Sequence, residues 1–227
     1  MVKLITHLRL VSAAAGYVLS QDWPLLALFI WFVGGCLDVS EQPPGTQKVS
    51  RFQILMDICS DNLLRSMGWM AAMRANRHLG CIAVPLVLLE WGTSLATQVH
   101  ITCDYAHWKV ARRRDPLWIQ SFFRQQGRGL VGQLCLYGLF AADLVAFAAA
   151  KGLARYIPYY SFLCTGAILG RCMVVMVELW LCISVAVWIL EKLRDKGALF
   201  VQSMTDTLRK SLSLPAAKRL QETNVVI

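Results

Sequence analysis

Charge is scarce in this chain. Of 227 residues only 16% are Asp, Glu, Lys or Arg, against about 25% in a typical soluble domain. The shortage falls on the acids, 14 in all. Paired cysteines are also missing: Cys36, Cys59, Cys81, Cys103, Cys135, Cys164, Cys172 and Cys182 are spread along the chain without one CxxC pair. That gives no disulfide framework, and leaves the cysteines as small apolar residues within helices. The first apolar stretch holds His7 and Arg9 and has no long leucine-rich core, so no cleavable signal peptide is expected. No inverted repeat or pair of broken helices is visible, which disfavours a small transporter.

Apolar surface is abundant instead. Residues of the A/V/I/L/M/F/W/Y/C class make up 56% of the chain, and the mean hydropathy is +0.49. A soluble core of this size cannot bury so much. A membrane-crossing helix takes about 20 mostly apolar residues, and turn and charge punctuation divides the chain into six such stretches, at about 3–20, 24–40, 50–72, 79–103, 129–150 and 160–190. The Asp22-Trp23-Pro24 turn, Pro43-Pro44-Gly45, Arg74-Ala75-Asn76-Arg77 and Pro158 separate them, and Pro85 lies inside the fourth. The expected fold is therefore all-α and polytopic, with six transmembrane helices in residues 1–195 and a basic tail at 196–227.

Placing the basic residues orients it. With both termini in the cytosol, 17 of the 23 Lys and Arg fall on the cytosolic side, including Lys3, Arg9, Lys48, Arg51 and the run around Arg112-Arg113-Arg114. Arg65 and Arg171 lie within spans. That distribution is the positive-inside pattern. The net charge of +9 then points to anionic membrane lipids as partners and not to nucleic acid. Residues 198–214 read either as a surface amphipathic helix, with Val201, Met204, Leu208 and Leu212 at three- and four-residue spacing, or as a frayed basic tail. Tryptophans such as Trp23, Trp69 and Trp91 suit the interfacial belts.

Against so few acids, two pairs stand out. Asp57 and Asp61, in RFQILMDICSDNLLR, are four apart and share one helix face, with Arg65 four further on. Two close carboxylates in low dielectric repel, and a divalent cation removes the conflict; oxygen donors suit Mg²⁺ and Mn²⁺. Asp38 and Glu41 form a second pair at the end of the preceding stretch, and Pro43-Pro44-Gly45 turns the chain back between them. Four converging carboxylates suggest a two-metal site that clamps a phosphoryl group. The competing structural reading bridges Asp57 or Asp61 to Arg65 and leaves Asp38 and Glu41 as solvated helix-end charges. Asp143, Arg171 and Glu178 lie in apolar stretches without a motif, and interhelical salt bridges or polar networks account for them. Glu90, His100 and Asp104 lack the spacing of a second metal site.

The pattern Asp38-x2-Glu41 … Asp57-x3-Asp61, on the second and third of six helices, resembles the CDP-alcohol phosphatidyltransferases, and within them the eukaryotic phosphatidylinositol synthase branch. Cys36-Leu37-Asp38, Ser50-Arg51-Phe52, Leu55-Met56-Asp57, His107-Trp108 and Arg128 also match. Glu41 stands at the family's second Asp, Gln42 where it has Gly, and Pro43-Pro44-Gly45 where its Ala-Arg dipeptide falls. A second register would put Asp38 at the family's second Asp. The resemblance implies metals held by Asp38, Glu41, Asp57 and Asp61, with Asp61 also the general base. Lys48 and Arg51 flank the hairpin and are placed to bind the pyrophosphate, while Arg128, which matches an Arg of the family, is expected to hold a phosphate or the inositol side, with CDP-diacylglycerol and inositol as the implied substrates. A homodimer in the endoplasmic reticulum is implied too. The altered positions leave open an inactive homologue that binds lipid or regulates a partner.

Overall fold

The computed structural model describes residues 4–39, 51–104, 115–123 and 129–213. Every regular element among them is helical: α1 (Leu4–Leu19), α2 (Pro24–Val39), α3 (Arg51–Ala75), α4 (Gly80–Asp104), α5 (Leu117–Phe123), α6 (Leu130–Ala150) and α7 (Tyr160–Ser213), with 3₁₀ turns at Arg77–Leu79 and Leu153–Tyr156. The chain divides into two compact units, Met1–Cys182 and Ile183–Ile227.

The helix ends follow local chemistry. Pro24 opens α2, where its missing N–H costs nothing. Asn76 ends α3 and caps the next turn, its side chain accepting from the His78 N–H at 3.1 Å. After α6, Gly152 takes a left-handed φ of +67° that a side chain would resist, and its N–H reaches the Ala149 carbonyl at 3.0 Å. Pro85 sits inside α4 without ending it.

Three helical segments among the described residues are long and apolar enough to cross a membrane: Arg77–Thr97, Leu130–Ala150 and Tyr160–Asp206. Leu4–Leu19 and Pro24–Leu37 are apolar but shorter. These are helices that a multi-pass membrane protein needs. α3 falls outside that group because its sequence carries Asp57, Ser60, Asp61, Asn62, Arg65 and Ser66. Its polar side chains are nevertheless largely enclosed, because α3 packs against α1, α2, α4 and α6.

The core of the first unit is built on small residues. Ala13, Ala27, Ala71, Ala72 and Ala148 surround Trp31, Leu64, Phe147 and Leu153. Trp31 meets Phe147 edge-to-face at 5.2 Å, and its indole N–H donates to the Ala13 carbonyl at 3.3 Å. Gly138 on α6 and Gly170 on α7 bring the two backbones into direct contact, and a Cβ at either would collide with the other chain segment. A smaller cluster seats Ile119 and Phe123 of α5 on Val177 of α7. Of the expected interfacial tryptophans Trp23 is exposed, whereas Trp69 is buried and Trp91 turns inward to donate to the Ser66 hydroxyl at 3.1 Å.

In the second unit α7 runs on to Ser213, so residues 198–213 are helical and not frayed. Residues 191–199 are exposed along it, with the Lys192 ammonium 6.0 Å from the Trp188 ring centre.

Candidate functional site

The site is built on the first half of α3. Asp57 and Asp61 lie one helical turn apart, and Arg9 enters between them from α1. Its Nη2 donates to Asp57 Oδ1 at 2.8 Å, and its Nη1 donates to Asp61 Oδ1. Arg9 is fully buried, while the two carboxylates keep 39% and 21% of their side-chain surface open. One guanidinium thus gathers two like charges from the inner side and leaves each partly facing outward.

Arg65 belongs to a different group. It points to α4, donating from Nε to Glu90 Oε2 at 3.1 Å and from Nη2 to Asn62 Oδ1 at 2.5 Å. Its guanidinium also lies 5.2 Å from the centre of the Phe140 ring. Asn62 in turn donates to the Ser94 hydroxyl at 2.7 Å. The other Glu90 oxygen forms an ion pair with Arg171 Nη2 at 2.9 Å, without the alignment of a hydrogen bond. Arg171 extends along α7 to Glu178 at 3.4 Å. Asp143 is buried nearby, its carboxylate pressed against the backbone of Gly68 and one oxygen without a hydrogen-bond partner. Asp61 and Asp143 both act electrostatically on Arg65, so the two groups of charge are neighbours along α3.

The carboxylates of α3 pair with Arg9 of α1 and not with Arg65. The polar network expected around Arg171 and Glu178 is present: it crosses from α7 to α4 through Glu90 and runs along α7 itself. Glu90 is shared between two arginines.

Asp57 and Asp61 are the expected site residues whose side chains the structure describes. Asp38 lies in the last turn of α2 and Arg51 opens α3, but both side chains fall outside the described residues, as do Glu41, Lys48 and Arg128 altogether. Among the described residues no three His, Cys, Asp or Glu side chains gather as a metal site. The described pair does fit a divalent cation in kind. Its donors are hard carboxylate oxygens, they converge on a positive group, and they remain partly open. Arg9 is the member that the sequence reading missed. An arginine inside an apolar stretch is costly enough to demand a partner, and that signal was available, although counting it as a topology charge hid it.

No family model, no curated protein and no solved structure matches the chain.

Proposed function

We propose that this chain is a multi-pass membrane phosphatidyltransferase. It transfers the phosphatidyl group of CDP-diacylglycerol to an alcohol, with myo-inositol as the favoured acceptor and CMP as the leaving product. The single observation behind this reading is the convergence of Asp57 and Asp61 on one cationic group at a partly open edge of α3. Two carboxylates held together this way act as a seat for positive charge.

The roles follow from that pair. Asp57 and Asp61, with Asp38 and Glu41 from the other side of the hairpin, hold Mg²⁺ or Mn²⁺ in a two-metal site. The cations supply charge neutralisation to the phosphoryl group in transit. Asp61 takes the proton of the acceptor hydroxyl, whose oxygen then bonds to the β-phosphorus as the anhydride bond to CMP breaks. Lys48, Arg51 and Arg128 bind the phosphates. The remaining helices serve this chemistry by keeping the acyl chains in lipid while the polar acceptor arrives from water. In this reading α1, α2, α3, α4, α6 and α7 all span the bilayer, with both termini cytosolic and the protein a homodimer in the endoplasmic reticulum.

A second reading rests on the same contact. Because Arg9 already pairs with both carboxylates, a chain that never exchanges this partner for a metal keeps the fold and binds lipid without transfer, as an inactive, regulatory homologue.

One assay separates the two. Purified full-length protein in mixed micelles receives CDP-diacylglycerol, inositol and Mn²⁺, and CMP is measured. The transferase reading expects CMP release that is lost in Asp61→Asn. Absence of CMP release, or release unaffected by that substitution, removes the transferase reading in favour of the second.

A further inference from the structure

We infer that residues 198–213 of α7 dock on the surface of an anionic bilayer: the helix bends at Gly197 on leaving the membrane and lays the face that carries Val201, Met204, Leu208 and Leu212 on the lipid. The inference does not depend on the transferase reading. It requires only that the apolar part of α7 crosses a membrane.

Length comes first. α7 has 54 residues, and about 20 suffice to cross a bilayer. Its apolar stretch ends at Leu190, after which Glu191, Lys192, Arg194, Asp195 and Lys196 follow in close succession. Such charges are costly in hydrocarbon, so they mark the level at which α7 meets water. Past them the chain turns apolar again, at Gly197-Ala198-Leu199-Phe200-Val201, and Met204 is exposed. Gly197 is the one glycine of residues 183–213 and has open space around its Cα. Since glycine is the weakest helix former after proline, the helix gives way there most readily.

Period and charge then select the occupant. Val201, Met204, Leu208 and Leu212 follow at three- and four-residue steps and stay on one side of a straight helix, with Gln202, Asp206 and Lys210 on the other. A second copy of α7 would cover that side through a coiled-coil seam, which needs apolar residues at a strict heptad. Either heptad register through Met204 puts Gly197 and Ser211 in the seam, with Arg194 in one and Thr207 in the other. A flat lipid surface makes no such demand on register. Residues 191–213 also hold five basic side chains, Lys192, Arg194, Lys196, Arg209 and Lys210, against three acids, Glu191, Asp195 and Asp206. An apolar stripe on a helix with a basic surplus is the composition that anionic headgroups attract.

The test uses the full chain in nanodiscs that hold one copy each, made of phosphatidylcholine alone or with phosphatidylserine. Amide hydrogen exchange is followed in peptides covering residues 198–213. An isolated helix of this length is marginal in water, so slow exchange there reports docking. Exchange is expected to be at least roughly 5-fold slower in the anionic discs, the change that one basic residue at such a surface supplies, and the difference should shrink at high salt. Met204→Glu combined with Leu208→Glu is expected to abolish the protection while the exchange of α6 stays as in wild type. Equal exchange in the two kinds of disc, or protection that survives the two glutamates, overturns the inference. Protection that appears only in discs holding two copies, whatever the lipid, assigns the face to a second copy and overturns it as well.

Discussion

Glu90 on α4 is shared between two arginines from different helices. Its Oε2 accepts from Arg65 Nε of α3 at 3.1 Å, and its Oε1 faces Arg171 Nη2 of α7 at 2.9 Å. All three side chains are buried. One carboxylate between two guanidinium groups fastens three helices at one level.

Replacing Glu90 with alanine leaves two enclosed positive charges facing each other. Breaking a buried pair from one side costs about 3–5 kcal/mol, so Glu90→Ala should lower the thermal midpoint of the purified protein by many degrees. Glu90→Gln, which keeps the shape and an acceptor oxygen, should lose less. A midpoint for Glu90→Ala equal to that of wild type would show that the arginines do not depend on this residue.

Gly68 and Asp143 should be coupled. A methyl group at 68 meets the Asp143 carboxylate directly, so Gly68→Ala is expected to destabilise the protein. Shortening the opposing side chain with Asp143→Ala should recover part of the loss. Contacting residues of this kind show interaction energies of about 0.5–3 kcal/mol in double-mutant cycles. Additive single effects would mean that the two sites do not touch.

The contact between Gly138 and Gly170 predicts intolerance to any side chain. Here the obstacle is the backbone of the facing helix, which cannot rotate away as a side chain can. Gly170→Leu should separate α6 from α7 and abolish a monodisperse elution profile in detergent. Gly197, on the same long helix, has open space around its Cα and should accept alanine without loss, serving as the control.

For the chemistry, Asp61→Asn removes both a negative charge and a proton acceptor at a site 21% open. General bases typically contribute roughly 10²- to 10⁴-fold, so CMP release should fall by at least about 100-fold. Asp57→Asn keeps the proposed base and should show its effect first as a higher Mn²⁺ requirement. Equal loss in both variants with no change in Mn²⁺ requirement would argue against the separate roles.

Much of the architecture is written in runs of neighbouring residues. The six apolar stretches coincide with α1, α2, α3, α4, α6 and the first part of α7, because hydropathy, Pro24, Asn76 and Gly152 act over a few residues. The stacking of Asp57 and Asp61 on one face is likewise a matter of helical period. The partners of those side chains are another matter. Arg9 lies 48 residues before Asp57 and 52 before Asp61, and Arg65 lies 25 before Glu90. Within α3 the spacing alone offered Arg65 as the counter-ion of Asp61, and only helix packing directed that guanidinium toward α4 and brought Arg9 in from α1. The sequence by itself determined where the helices run and which faces carry charge, since both follow from local period and solvent. The tertiary structure decided which charges meet. A buried charge must find its opposite wherever the packing of helices places one, and no local rule of spacing specifies that distance.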